Sequence, residues 1–403
     1  MSDFLQLITV IAIILVAAKA AGYLSTKLKQ PSVFGELLVG VLLGPSLLNL
    51  TNLSFISDRH LGESIHSLGE IGVLLLMFLA GIELHISELT KNTRVALLAG
   101  TLGVVVPVAS GLLFGEILNM PFDHALFLGL TLGATSVSIS AQVLIELKAL
   151  RTRVGIALLG AAVFDDILVI LILSIAMAFL TGSGGFAEIL VVIVKMVVFL
   201  VGASAVGYWL LPWVVRFTQK LHISQGITTL AIVVLFAYGL AAELVGGMAA
   251  ITGTFLAGLM FGRTPEKSAI TNSILSIAYG FFVPIFFVSI GLNVNLRELN
   301  LESLWIFIAI TLIAVLGKII GSGAGALLSK FTPRESLQIG IGMVSRGEVG
   351  LIIANIGLRA GYLSEEIMTI IVGMILITTL VTPPMLRASF RKPESNIETT
   401  PSS

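Results

Sequence analysis

Residues 156–179 read IALLGAAVFDDILVILILSIAMAF. As a helix the stretch is long enough to cross a ~30 Å hydrocarbon core. Two adjacent carboxylates, Asp165 and Asp166, interrupt it near the middle. A charge at the bilayer centre costs at least ~2.5 kcal/mol on insertion scales, so an intramembrane acidic doublet points to function by default. Like charges side by side also repel. A bound proton or a bound metal cation relieves both penalties. A carboxylate pair that can trade one for the other is the minimum equipment of an ion exchanger.

Apolar runs of similar length recur along nearly all of the 403 residues, which are 56% hydrophobic and only 11% charged. Soluble domains average about 25% charged residues. The reading is an all-α polytopic membrane protein with thirteen spans, at approximately 4–26, 33–48, 64–84, 94–116, 123–146, 153–181, 186–216, 223–244, 246–262, 268–292, 302–329, 334–358 and 364–386. Connections are short, no soluble domain is inserted, and the polar tail after Phe390 reads as disordered. The N-terminus lacks a basic n-region, so the first run reads as a retained span. Formal net charge is zero, which gives no case for a nucleic-acid partner. Cysteine is absent, excluding disulfides, thiol chemistry and cysteine-ligated metals. Neither a G-x-G-x-x-G fingerprint nor a P-loop is present, so no nucleotide-driven step is expected. No nucleophile arrangement accompanies the carboxylates, so the chain does not read as an enzyme.

Basic residues set the orientation. Sixteen lysines and arginines, among them Lys27, Arg94, Arg151, Arg216, Lys330 and Arg387, fall on one side of these spans, and three (Arg59, Arg297 and Arg359) on the other. The positive-inside rule then puts the N-terminus outside and the C-terminus in the cytoplasm, as an odd number of spans requires.

Gly81–Leu89 (GIELHISEL) and Gly291–Leu299 (GLNVNLREL) share one pattern, and Gly40–Gly44 (GVLLG) is echoed by Gly258–Gly262 (GLMFG). Both matches are offset by seven spans. An odd offset means two six-helix units of opposite sense, joined by span 186–216, and inverted repeats mark secondary transporters. Span five (Thr131–Ser140, TLGATSVSIS) then corresponds to span twelve (Gly340–Gly350, GIGMVSRGEVG). Both carry Gly, Ser and Thr halfway, residues that favour non-helical backbone. Interrupted segments at matching positions are the best sequence pointer to a transporter's binding site.

Depth supplies a further argument. Asp165 lies twelve residues from Arg153, hence ~18 Å into the membrane at ~1.5 Å per residue. Lys318 lies twelve from Lys330, Thr135 thirteen from Lys148 and Glu348 fourteen from Arg334. Four spans thus bring polar groups to one level. Neighbours on a helix project ~100° apart, so one aspartate is expected to pair with Lys318 while the other faces an aqueous cavity. Arg346 is expected to stabilise the interrupted turn it shares with Glu348. Lys19 and Glu36, toward span ends, are expected to snorkel. The five histidines, near span ends or loops, read as ordinary surface residues.

Phe164-Asp165-Asp166, Thr135-Ser136, Lys318 and Ser345-Arg346-Gly347-Glu348 together resemble the monovalent cation:proton antiporter-2 family, most closely its NapA-type sodium/proton antiporters, over roughly residues 1–388. The resemblance implies an NhaA-like fold with two crossed broken helices, in a homodimer placed in a bacterial inner membrane. Residues 1–92 and 222–300 would form the dimerisation scaffold, and 93–182 and 301–388 the ion-translocating core. Residues 183–221 would be the linker helix and 389–403 a disordered tail. By the same resemblance Asp166 is the principal cation and proton site, Asp165 pairs with Lys318, Thr135 and Ser136 lie at the helix crossover, and Glu348 and Arg346 are supporting. The implied activity is electrogenic antiport of Na⁺ (and Li⁺) against H⁺ by alternating access, an elevator-like movement, serving pH homeostasis without a cofactor. K⁺/H⁺ exchange is the nearest alternative and a sodium-coupled organic solute symporter a more distant one.

Overall fold

A computed structural model describes residues 2–50, 60–84, 92–181, 186–221, 223–292 and 303–390. These residues form helices and no strands. In chain order the helices are α1 (Asp3–Lys27), α2 (Ser32–Leu43), α3 (Leu61–Glu83), α4 (Thr93–Ile117), α5 (Phe122–Gly133), α6 (Val137–Glu146), α7 (Arg153–Thr181) and α8 (Phe186–Lys220). They continue as α9 (Gly226–Ala241), α10 (Ala250–Phe261), α11 (Lys267–Ile277), α12 (Val283–Leu292), α13 (Leu304–Leu328), α14 (Pro333–Gly342), α15 (Glu348–Arg359) and α16 (Glu365–Phe390). Among the described residues, ten segments are long and apolar enough to cross a membrane.

Local sequence explains several boundaries. Thr332 caps α14 in a reciprocal capping box with Glu335, and Pro333 opens the helix, where its missing N–H costs nothing. α2 stops at Leu43, short of the expected span to residue 48, because Gly44 turns extended ahead of Pro45, a residue that disfavours helix in its predecessor. π-helical turns at Ala242–Gly246 and Ala278–Phe282 extend α9 and join α11 to α12. α16 continues through Pro383 and Pro384 to Phe390, two residues into the expected tail. The remainder of that tail, His85 and His222, and most of the paired nine-residue motif lie outside the described residues.

The helices pack in two sets. In one, α2 packs on α1 and α12, α12 on α3, α3 on α10, and α10 on α9 and α8. In the other, α4 lies against α5, α7 and α13, and α13 against α14 and α16. The sets touch where α3 and α2 meet α6, where α16 meets α2, and where α8 meets α7. Small residues permit the closest approaches, as they do between membrane helices generally. A Cβ on Gly40 of α2 would lie 2.3 Å from the Val288 carbonyl of α12, and one on Gly258 of α10 would lie 2.2 Å from the Phe78 carbonyl of α3. The two echoed glycine motifs therefore make the same kind of contact, each against the other half of the chain.

Candidate functional site

α5 and α6 belong to one segment broken at Ala134-Thr135-Ser136, and α14 and α15 to one broken at Met343–Gly347. In the membrane interior the backbone groups released by a break need partners, and here the two breaks supply them to each other. The Ser136 N–H donates to the Ser345 carbonyl at 2.8 Å. Ser345 Oγ donates to the Ser136 carbonyl at 2.9 Å, and Ser140 Oγ to the Gly342 carbonyl at 2.5 Å. Gly347 passes so close that a Cβ there would lie 2.7 Å from Ser136 Oγ.

Arg346 fastens the junction. It is fully buried, and its guanidinium donates to the carbonyls of Val344, Leu132 (2.7 Å) and Ala314 (2.9 Å). Those acceptors lie in both broken segments and in α13. Thr379 of α16 donates to the Arg346 carbonyl at 2.7 Å. A guanidinium presents five donors in a fixed fork, which suits a side chain that must satisfy several loose carbonyls at once.

The charged pair sits beside this junction. Lys318 Nζ donates to Asp165 Oδ1 at 2.6 Å, with both side chains fully buried. Asp166, adjacent on α7, is also buried. Lys318 interacts electrostatically with Asp165 foremost, and with Arg346 and Asp166 as well. Thr135 approaches Asp165 without reaching normal hydrogen-bond geometry. The shared depth has a visible cause at the helix ends: Arg153 pairs with Glu335 at 3.4 Å, donates to the Lys330 carbonyl at 3.2 Å and stacks on Phe331. One side chain thus levels the start of α7 with the end of α13 and the start of α14. Of the residues expected from sequence, Asp165, Asp166, Thr135, Ser136, Lys318 and Arg346 come together in this region. Glu348 opens α15, and its side chain lies outside the described residues.

A second polar cluster lies where the two helix sets touch. Glu146, at the end of α6, accepts from Ser32 N (2.8 Å), Ser32 Oγ (2.5 Å) and Gln142 Nε2 (2.9 Å). The Tyr279 hydroxyl donates to Gln142 Oε1 at 2.5 Å, and Lys19 Nζ to the Tyr279 carbonyl at 2.9 Å. Glu36 is buried nearby between α1 and α2, with Lys19 and Glu146 acting on it electrostatically. This corrects the expectation that Glu36 snorkels: its helix position near an end did not show that α1 covers it. Thr379 and the Glu146 cluster escaped the sequence reading, which held Ser345 and Ser140 within the interrupted segments but not the bonds they make. For Thr379, the Thr378-Thr379 pair inside an otherwise apolar run was the available signal.

Residues 11–392 match the family described as "Sodium/hydrogen exchanger, transmembrane". The chain belongs to that family. Among its relatives is the Na(+)/H(+)-K(+) antiporter GerN of Bacillus cereus, 42% identical over 380 residues that cover 94% of this chain and 95% of the relative. Another is a Na(+)/H(+) antiporter of Enterococcus hirae, 35% identical over 393 residues, 97% of this chain and 100% of the relative. The solved structure of the sodium proton antiporter MjNhaP1 from Methanocaldococcus jannaschii aligns with a TM-score of 0.68 at 20% identity, covering 96% and 97% of the two chains. That likeness establishes a shared fold.

Proposed function

We propose that this chain is a secondary antiporter that exchanges a monovalent cation, Na⁺ with Li⁺ also accepted, for H⁺ at Asp166, with Asp165 and Lys318 as its charge partners. The observation that carries the reading is a fully buried Asp165–Lys318 pair, next in sequence to a second buried carboxylate and level with two interrupted segments that bond to each other. Such a site can hold the cation or protons, and not both together. Occupied by either ion it is nearer neutrality and crosses a low-dielectric barrier more easily than when empty. That difference enforces exchange over leak. Names borne by relatives, including the Bacillus cereus and Enterococcus hirae antiporters, support the same activity.

The two helix sets support a division of labour. α4–α7 and α13–α16 would carry the ion, α1–α3 and α9–α12 would form a dimer scaffold, and α8 would link them. The reciprocal glycine contacts support two inverted six-helix repeats, whose broken segments would cross at the site. Thirteen spans, the C-terminus in the cytoplasm and elevator-like movement of the core in a homodimer complete the proposal. With two carboxylates and one lysine in the site, we take transport to be electrogenic. K⁺ is the second substrate to test, because GerN carries it in its name.

The test is exchange in proteoliposomes. A pH gradient is imposed, Na⁺, Li⁺ and K⁺ are titrated, and internal pH is followed for the unaltered protein and for Asp166→Asn. Cation-driven proton flux that disappears in Asp166→Asn is expected. Flux requiring an organic solute, or unchanged in Asp166→Asn, overturns the reading.

A further inference from the structure

Serine and threonine hydroxyls inside these helices commonly fold back on a carbonyl four residues earlier. Ser110 bonds to Val106, Thr131 to Phe127, Thr311 to Phe307, Ser329 to Gly325 and Thr378 to Met374. Ser322 behaves differently. It is fully buried in α13, and its Oγ makes no hydrogen bond among the described residues. It lies four residues after Lys318 and so on the same helix face. Its hydroxyl leaves its own helix and enters a gap in α4. A Cβ built on Gly103 would lie 2.2 Å from Ser322 Oγ and 3.7 Å from Asp165 Oδ1. The hydroxyl therefore occupies the place a side chain at 103 would take, beside the carboxylate that Lys318 holds. A buried hydroxyl without a partner is unfavourable, and the usual bond to a carbonyl of its own helix would relieve it. A donor held instead beside Asp165 has a use in another state of the cycle.

We propose that Ser322 is a positioning residue for exchange: its hydroxyl donates to Asp165 when Lys318 releases that carboxylate, and Gly103 provides the space from which it acts. The inference rests on the reading that the aspartate doublet is the ion site. Occupation of that site by a cation weakens the attraction between Lys318 and Asp165. A hydroxyl donor then keeps the buried carboxylate hydrogen-bonded without adding a positive charge to compete with the cation.

The test uses the full chain in proteoliposomes, with Na⁺ titrated at several pH values, for Ser322→Ala, Gly103→Ala, the double variant Gly103→Ala/Ser322→Ala, and Asp166→Asn. Loss of a hydrogen bond to a charged group is expected to raise the apparent KM for Na⁺ in Ser322→Ala roughly tenfold and to displace the pH profile, with kcat little changed. Gly103→Ala is expected to raise KM similarly by expelling the hydroxyl. The double variant removes the clash, since Ser322 Cβ lies 3.5 Å from the added Cβ, and is expected to match Ser322→Ala in KM. This variant keeps the test decisive if Gly103→Ala alone fails to fold. A Ser322→Ala protein with unaltered KM and pH profile overturns the inference, as does one that loses only thermal stability. Asp166→Asn separates the two levels: if it exchanges normally the site reading itself has failed, whereas if it is silent and Ser322→Ala is unaltered, only the role of Ser322 has.

Discussion

Breaking the Asp165–Lys318 pair from one side is expected to destabilise the protein far more than removing it from both. Nζ and Oδ1 are 2.6 Å apart and neither side chain reaches the surface. Asp165 Oδ2 has no other donor among the described residues, so Lys318 provides the carboxylate's hydrogen bond. Substituting Lys318→Met leaves a buried carboxylate without that partner, a change worth about 3–5 kcal/mol. Asp165→Asn leaves a buried ammonium with a weaker acceptor and is expected to cost a comparable amount. The double variant Asp165→Asn/Lys318→Met strands no charge, and replacing a whole buried pair with neutral groups is often close to neutral. The two single losses sum to about 6–10 kcal/mol, so a near-neutral double variant gives a coupling of that order, above the roughly 0.5–3 kcal/mol usual for contacting residues. Reversible denaturation in mixed micelles, with helicity as the signal, gives the four free energies. Additive losses, with coupling under about 0.5 kcal/mol, would refute the claim that these two charges are each other's principal partners.

Two further perturbations probe the rest of the arrangement. Gly347→Ala places a methyl within 2.7 Å of Ser136 Oγ and 2.9 Å of its Cβ; overpacking of that kind costs about 1–3 kcal/mol, and prising the two breaks apart is expected to lower both thermal stability and exchange rate. Ser32→Ala removes the hydroxyl bond to Glu146 across the contact between the helix sets, a loss of about 1 kcal/mol to this conformation; turnover is expected to change while the KM for Na⁺ does not, and a changed KM would place that contact in the ion site instead.

Apolar length alone made the helical architecture legible, because continuous runs such as 156–179 have no other stable home. The breaks were legible for another reason: Gly133, Thr135 and Ser136, like Ser345 and Gly347, favour non-helical backbone. Counting from Arg153 and Lys330 brought Asp165 and Lys318 to one level, and the structure shows why the count works, since Arg153 ties both helix ends to a common plane. Lateral neighbours were not legible. Glu36 looked free to reach the surface, but α1 covers it. Ser322, within Gly321-Ser322-Gly323, carries no sequence mark of its own; the direction of its hydroxyl depends on a gap in α4. The π-helical turn at Ala278–Phe282 left no mark in a run that is apolar throughout, because one extra residue in a turn does not change hydropathy.

The central claim, that cation and proton occupy one carboxylate seat in alternation, is tested most directly by proton release. Na⁺ is added to the purified protein in weakly buffered detergent solution near the pH of half-maximal exchange, and the protons liberated are titrated. We expect release that saturates with Na⁺, grows smaller as the pH rises and the seat empties of protons, and vanishes in Asp166→Asn. Saturable Na⁺ binding that liberates no proton, or liberates as many from Asp166→Asn, would contradict it.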